Sequence, residues 1–436
     1  MATTRPGQPI HLILDFDGTL TTRDTLGLFG RLAKARDTRQ YLEQLPRQTD
    51  EMQIDEVHGS HDGVANGESD EPMSEENESE ENESDEPMAE GTESEESESE
   101  GTESEESEPE ASEFDGHPLW RDLTIAYRDD YRAHLGEHYP VVAQMKRQDE
   151  HATPEQYVTW LDSLYSVEYA RAARISESGL FKGVKLEDIT TVVKDALDRG
   201  DLKMCKGWNA LFEMSMPTGS TEQPPDISKL SIISVCWSRL FIWKSLYMAA
   251  ERLTHLGLAD KAALLNHISG IEIYANEIEG LTSPLGSTGR VTGTVRTARE
   301  KAAHMPAYSG GRAATTEKRQ NQTTPLVFYA GGCATAGGCA TDYHCLQLAD
   351  FPIFCDAETI DKHWRRRGFH EIFRPLCSDG RLYYDVRRWA DMVDCGEAPH
   401  AWCADINGLL PLAKWLKEET RGMMRKDGGL SLLDTE

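Results

Sequence analysis

A short apolar segment near the N-terminus runs directly into two acidic residues that lie one residue apart. His11 to Leu14 are apolar or tolerated in strands, and Asp15, Asp17 and Gly18 follow. This order predicts a buried parallel strand that ends in a tight turn. Because side chains alternate along an extended chain, Asp15 and Asp17 point to the same side. The sequence therefore predicts an α/β fold with paired carboxylates at the carboxyl end of a strand, where open parallel sheets have their active sites.

Two carboxylates held this close repel each other unless a cation neutralises them. Mg²⁺ suits such a pair because it takes oxygen ligands and shares them with a substrate phosphate. One acid can then attack phosphorus as a nucleophile while the other transfers protons. A turn of this composition also caps strands in proteins without catalytic activity, so the pair alone leaves both interpretations open.

The longer string DFDGTLT, residues 15–21, resembles the first motif of the haloacid dehalogenase (HAD) superfamily. It is most similar to the phosphoserine-phosphatase-like branch, which has a helical cap of the C1 type. The resemblance implies a Rossmann-like parallel sheet flanked by helices, with the cap inserted between the first and second motifs. It also implies that Asp15 is the nucleophile and Asp17 the general acid and base, with Mg²⁺ bound by both residues.

The resemblance implies further motifs at the ends of later strands. LSIISVCWS places Ser234 at the end of a β-branched run, and its hydroxyl would hold the transferring phosphoryl oxygens. After the strand and turn IEIYANEIEG, the helical pattern VRTAREKAAHM offers Lys301, whose ammonium would balance the phosphate and carboxylate charges. Taken singly, each residue also fits an ordinary role, as a strand-terminal serine or a solvated helix lysine.

The fourth motif coincides with an exact repeat, because FYAGGCATAGGCATDY at 328–343 contains GGCAT twice. The second copy fits the family pattern if Gly338 replaces the first metal-binding Asp and Asp342 keeps the second acid. The first copy offers Gly332 and Ala336 and no acid. One Mg²⁺ carboxylate is missing in either alignment, which predicts a weakened or inactive enzyme. An alternative explanation of the repeat is a slipped or wrongly assembled segment of the gene.

Residues 118–227 show helical spacing of apolar residues, with Thr153 and Pro154 as a helix start. Their position matches the helical cap of the family, a lid that closes over the active site. The passage EYARAARISESGLFKGV resembles the part of that cap that contacts substrate. The resemblance makes Glu168, Arg171 and Arg174 candidate substrate contacts, while solvated helix charges are the alternative.

An acidic segment carries most of the net charge. Residues 51–115 contain 28 of the 76 Asp and Glu residues and no Lys or Arg, in short repeats such as ESDEPM and EGTESEESE. A segment with so few apolar residues cannot offset the entropy lost on folding, so we expect a disordered insertion over 46–117. It either keeps the chain soluble, binds a basic protein, or is a substrate for an acid-directed kinase at serines such as Ser97.

The predicted domains are the start of the core at 1–45, the acidic insertion at 46–117, the cap at 118–227 and the rest of the core at 228–436.

Outside the acidic segment the chain is almost neutral, so no nucleic-acid partner is expected. Nine scattered cysteines without a CxxC pair, no leader segment and an apolar stretch broken by Arg239 and Lys244 predict a cytoplasmic protein without membrane association. Two functions stay open: a Mg²⁺-dependent phosphatase acting on a small phosphorylated metabolite, and a catalytically inactive relative with a binding or regulatory role.

Overall fold

A parallel sheet organises the described part of the chain. The computed structural model describes residues 9–44, 117–138, 154–217, 227–309, 324–332 and 340–355, with short pieces at 373–375, 377–378, 381–382, 400–403, 406 and 409–410. Apart from Gln44, these residues belong to one compact unit drawn from Met1–Glu43 and Ala111–Glu436. The predicted acidic insertion lies outside the described residues, except for His117.

Seven parallel strands form the sheet, in the order β3, β2, β1, β6, β7, β11, β8. Their bounds are Ile10–Leu14 (β1), Lys229–Ile233 (β2), Glu272–Tyr274 (β3), Leu326–Gly331 (β6), Phe351–Cys355 (β7), Phe373–Pro375 (β8) and His400–Cys403 (β11). In register, Leu14 lies opposite Ile232 of β2 and Ala330 of β6. The residues that follow these three strands therefore meet at one edge of the sheet.

Both faces of the central strand are buried. Leu12 and Leu14 pack into one apolar cluster, together with Phe29 and Phe241, while Ile13 packs into a second cluster that contains Leu346. A strand covered on both faces needs apolar side chains at nearly every position, which is why β1 shows no polar alternation. The predicted α/β fold with a parallel sheet flanked by helices is confirmed.

Two antiparallel ribbons accompany the sheet, β4 (Glu277–Ile278) with β5 (Val291–Thr292), and β9 (Cys377–Ser378) with β10 (Arg381–Leu382). The described helices are Leu26–Gln44 (α1), Pro118–Glu137 (α2), Pro154–Ser163 (α3), Tyr165–Ser178 (α4), Leu186–Arg199 (α5), Trp208–Met214 (α6), Arg239–Glu251 (α7), Leu258–Ser269 (α8), Ala298–Ala302 (α9) and Tyr343–Leu348 (α10). A 3₁₀ turn, Ala340–Asp342, leads into α10.

The region 118–227 is helical where the structure describes it, and it supplies α2 to α6. Trp120 of α2 packs edge-on against Trp237, which follows β2, with ring centroids 5.5 Å apart. This contact brings the start of α2 to the end of the sheet that carries Asp15. These helices and the sheet fall in the same compact unit, so the cap as a separate domain stays a prediction.

The strands expected from LSIISVCWS and IEIYANEIEG correspond to β2 and β3. In the described part of the chain, every helix is too short or too polar to cross a membrane. Four cysteines with described surroundings are buried thiols outside any disulfide: Cys205, Cys236, Cys345 and Cys355.

Candidate active site

The turn after β1 fixes the two acids of the first motif. The backbone N–H of Asp15 donates to Ala330 O at 3.0 Å, which continues the pairing with β6. The Phe16 carbonyl then accepts from the backbone N–H groups of Leu20 and Thr21, at 2.9 and 3.0 Å. Gly18 within this turn has φ 68°, a conformation that side-chain-bearing residues rarely adopt. The chain therefore reverses immediately after Asp15 and Asp17, as the sequence predicted.

Lys301 is the central cation of the site. Its side chain is fully buried on α9, and its Nζ lies 2.6 Å from Asp15 Oδ1 and in contact with Asp342 Oδ1. Burial lowers the pKa of Lys301, but the Asp15 and Asp342 carboxylates outweigh burial and hold this pKa above its ordinary value. The interpretation of Lys301 as a solvated helix lysine is wrong, because the side chain has no exposure to solvent.

Asp342 reaches the site although eight residues separate the end of β6 from the 3₁₀ turn that carries it. Its Oδ1 accepts a hydrogen bond from the Tyr329 hydroxyl at 2.5 Å as well as from Lys301. Burial raises the pKa of Tyr329, so this phenol keeps the proton that it donates. The other oxygen, Oδ2, is buried and has no hydrogen-bond partner among the residues that the structure describes.

Gly331 makes room for Asp342. A Cβ at position 331 would lie 2.7 Å from both Cγ and Oδ2 of Asp342. Carbon atoms do not approach this closely, so only glycine at the end of β6 allows the carboxylate to reach Lys301. Tertiary packing against Asp342 is therefore the reason that position 331 requires glycine.

Asp17 is held by Thr25. The backbone N–H of Thr25 donates to Asp17 Oδ1 at 2.9 Å and its hydroxyl donates to the same oxygen at 2.6 Å. Burial and the nearby Asp24 carboxylate raise the pKa of Asp17 to about 7, against the effect of the Thr25 hydrogen bonds. A carboxyl group with this pKa can both give and accept a proton near neutral pH.

Asp15 is almost fully buried, with 4% of its surface exposed. Burial raises the pKa of Asp15 well above its ordinary value, and the Asp342 carboxylate raises it further, while Lys301 lowers it. An attacking carboxylate must be ionised, and Lys301 favours the ionised form of Asp15. A further cation beside Asp15 would favour that form more strongly.

A cavity of about 330 Å³ opens beside these acids. Its lining includes Asp15 and Asp17 from the turn after β1, Thr341 from the 3₁₀ turn and Trp237 after β2. Helices α2 and α4 close the other side, with Tyr127 and Arg171 among the lining residues. A volume of this size accommodates a small metabolite.

Arg171 is fixed between two aromatic rings. Its Cζ lies 4.0 Å from the ring centroid of Tyr127 and 4.8 Å from that of Trp237. The Tyr127 hydroxyl donates to Glu168 Oε1 at 2.6 Å, and Glu168 Oε2 lies 3.8 Å from Arg171 Nη1. Stacking removes conformational freedom from the guanidinium before any ligand arrives. Two of the three predicted substrate contacts, Glu168 and Arg171, thus line the cavity beside Asp15.

The structure does not bring Arg174 or Ser234 to the cavity lining. Arg174 Nη2 donates to Asp130 of α2 at 2.5 Å, which occupies the guanidinium in a contact between two helices. Ser234 follows β2 as predicted, but its Oγ accepts from the Cys236 N–H at 3.1 Å. The residues that follow Ser234, from Val235 to Trp237, line the cavity in its place.

Of the residues that the two alignments of the fourth motif single out, the structure describes Gly332 of the first and Asp342 of the second, whereas Ala336 and Gly338 lie outside the described residues. Gly332 is the first residue after β6, and a Cβ there would lie 2.7 Å from Cys355 O and 2.8 Å from Cys355 C. A side chain at position 332 therefore requires β7 to move. An acid is missing from this position, and the packing leaves no space for one.

No protein-family model matches the chain, and no curated protein matches it. The chain is similar to solved phosphoserine phosphatase structures. One is described as "Substrate bound phosphoserine phosphatase complex structure", with 8% identity, a TM-score of 0.33 and coverage of 93% of this chain and 98% of that chain. Another is described as "Phospho-Aspartyl Intermediate Analogue of Phosphoserine phosphatase", with 8% identity, a TM-score of 0.32 and coverage of 93% and 99%. Similarity this low carries no conclusion about activity.

Several residues of the site were not found from the sequence. Tyr127 and Trp237 stack on Arg171, and Tyr329 donates to Asp342. Arg296 lines the cavity, and its buried Nε has no hydrogen-bond partner in the described part of the chain. Trp237 and Arg296 are close in sequence to Ser234 and Lys301, and this proximity is only a weak indication that they belong to the site. Tyr127 comes from a distant helix, and the sequence offers no signal for it.

Proposed function

We propose that the chain is a phosphatase that hydrolyses a small phosphomonoester through an aspartyl-phosphate intermediate on Asp15. The observation that carries this proposal is the buried ammonium of Lys301, which contacts both Asp15 and Asp342, while Asp15 and Asp17 line a cavity. A cation buried against two carboxylates adds little stability by itself, so its placement beside a ligand-sized cavity points to a reaction involving anions.

In the proposed reaction, an Asp15 oxygen attacks phosphorus and the bond from phosphorus to the ester oxygen breaks. Asp17 gives its proton to the departing oxygen, and the Lys301 ammonium faces the negative charge of the phosphoryl group. Water then attacks the aspartyl-phosphate and passes a proton to Asp17. Free phosphate leaves, and both acids return to their starting states. The pKa of Asp17, about 7, suits it to both proton transfers.

The residues of the site fit a divalent cation. Three carboxyl groups surround one ammonium, and no described residue donates to the buried Oδ2 of Asp342. The Asp15 carboxylate and the Asp17 backbone carbonyl would hold Mg²⁺, with the Asp342 carboxylate as a further ligand. When bound, Mg²⁺ neutralises charge on the acids and on the phosphoryl oxygens. The expected additional acid is absent at Gly332, so we propose that Mg²⁺ binding and turnover are weakened.

Arg171 supports a substrate that carries a second anionic group. Its guanidinium is fixed by stacking and lies in the cavity wall with Glu168 beside it. A fixed guanidinium favours a planar carboxylate or a phosphate, while Glu168 favours a neighbouring ammonium. We propose a small phosphorylated metabolite with charged groups beyond the phosphate.

The second candidate is a catalytically inactive HAD-like protein with a binding or regulatory role. Gly332 favours it, because the packing against Cys355 excludes a carboxylate directly after β6. In that case the cavity would bind a phosphorylated ligand without hydrolysing it.

The test is Mg²⁺-dependent hydrolysis of an aryl phosphate by the full chain. Asp15→Asn should abolish turnover, whereas Asp198→Asn, which changes an exposed acid outside the cavity lining, should not. Gly338→Asp, which restores an acid in the second GGCAT copy, should raise turnover. Phosphate release that is equal in wild type and Asp15→Asn would remove the nucleophile assignment. Binding of phosphate without any release would favour the second candidate.

A further inference from the structure

A cluster of possible metal ligands lies away from the cavity, at the C-terminal end of α2. His134, Glu137 and His138 are spaced i, i+3 and i+4, so they share one face of the helix. One donor atom from each lies within 4.8 Å of the others. The imidazole ring centroids of His134 and His138 are 4.2 Å apart. Small rotations of these side chains would bring all three donors around a single ion.

Hydrogen bonding fixes the tautomer of His134. Its Nε2 lies 2.8 Å from the Ser163 hydroxyl of α3, and that hydroxyl donates its proton to the Trp160 carbonyl at 2.6 Å. Ser163 Oγ can therefore only accept from His134, so Nε2 carries the proton and Nδ1 carries a lone pair. Metal-binding histidines commonly show this arrangement, in which one nitrogen donates to the protein and the other is left for the ion.

The surroundings favour a cation. The backbone N–H of His138 donates to His134 O at 3.0 Å, so the cluster sits on the last turn of α2. Carbonyl groups at a helix C-terminus carry a partial negative charge, which attracts cations. His134 is buried, His138 is partly buried and Glu137 is exposed, so an ion can enter from solvent.

We propose that His134, Glu137 and His138 bind a divalent transition-metal ion of the Zn²⁺ type. Two imidazole nitrogens and one carboxylate are a common zinc donor set that leaves a fourth position for solvent. Mg²⁺ prefers oxygen ligands and does not compete well for imidazoles. This site is separate from the acids around Asp15 and does not depend on the proposed phosphatase activity.

The ion would act on a helix that also forms the cavity. The same helix α2 carries Tyr127, which stacks on Arg171, and His134 ties the end of α2 to Ser163 of α3. An ion bound only by the folded chain stabilises it by mass action. Zn²⁺ therefore holds the last turn of α2 in place and raises the thermal unfolding temperature of the whole chain.

The test is calorimetric titration of the full chain with Zn²⁺ in excess Mg²⁺, which occupies carboxylate-only sites. His138→Ala should weaken Zn²⁺ binding by at least about tenfold, since outer-shell changes alone typically cost tenfold to a hundredfold. Glu137→Gln should weaken it in the same direction. His255→Ala is the matched control, because His255 is an exposed histidine on a loop and its loss should leave the isotherm unchanged.

Neither Glu137 nor His138 is buried, so both variants should match wild type in circular dichroism and in thermal unfolding without metal. Co²⁺ provides a second measurement, because imidazole-bound Co²⁺ absorbs visible light and His138→Ala should remove that absorption. Identical Zn²⁺ isotherms for wild type and His138→Ala would overturn the proposal. Displacement of Zn²⁺ by Mg²⁺ in wild type would also overturn it, because that result would identify a site made of carboxylates alone.

Discussion

Replacing Lys301 with Met removes the one ammonium between two buried carboxylates while keeping an unbranched side chain of similar length. Lys301 Nζ lies 2.6 Å from Asp15 Oδ1 and contacts Asp342 Oδ1, and all three side chains are buried. Removing one partner from a buried ion pair costs roughly 3–5 kcal/mol, because the remaining charge stays buried without compensation. Folded domains have a total stability of only about 5–15 kcal/mol, so this loss is large.

The free energy of unfolding is measured by urea denaturation with EDTA present, so that metal binding does not contribute. Lys301→Met should be less stable than wild type by about 3–5 kcal/mol near pH 8. The loss should shrink as the pH falls, since Asp15, whose pKa is raised by burial, can then fold in its protonated form. In an Asp342→Asn background, the same change should cost at least about 1 kcal/mol less, because one of the two carboxylates is already neutral.

Lys194→Met is the matched control. Lys194 pairs with Asp198 on the exposed surface of α5, where solvent screens the interaction, so the change should have no measurable effect on stability. If Lys301→Met costs no more than Lys194→Met, or if its cost is the same at pH 5 and pH 8, the buried charge cluster does not exist as described.

Two further changes test the surroundings of this cluster. The folded pKa of Asp17 is about 7 and lies above its unfolded value, so the protein loses stability relative to Asp17→Asn as the pH rises from about 4 through 7. Urea denaturation of both proteins across that range, without metal, measures the difference, and a constant difference would contradict the raised pKa. Gly331→Ala should cost roughly 1–3 kcal/mol because its Cβ meets the Asp342 carboxylate. Gly27→Ala, in open space on α1, should be neutral or stabilising, and equal effects of the two changes would argue against the close approach of Asp342 to Gly331.

Local chemistry made several features of the fold predictable. Most positions of β1, β2, β6 and β7 are apolar, because a strand buried on both faces leaves little room for polar residues. The buried polar exceptions, His11 and Ser231, contact each other. The turn at Gly18 and the acids around it follow from the short string DFDG. These features depend on neighbours within a few residues, which is the range over which one sequence is informative.

The roles of Ser234 and Arg174 show where this reasoning stops. Ser234 ends its strand as expected, yet its hydroxyl accepts from the Cys236 N–H and does not line the cavity. Arg174 lies on the expected helix, yet its guanidinium donates to Asp130 of another helix and does not line the cavity. In both cases the sequence gives the element, but the partner of the side chain depends on what packs against it.

By itself, the sequence determined the strand that ends in Asp15 and Asp17 and the helix that carries Lys301. Only the tertiary structure decided that Lys301 is buried, that Asp342 reaches it across Gly331, and that Tyr127 and Trp237 hold Arg171 in the cavity wall. The physical reason is that strand and turn formation depends on short-range backbone preferences. The charge state and position of a side chain depend instead on burial and on partners that are distant along the chain.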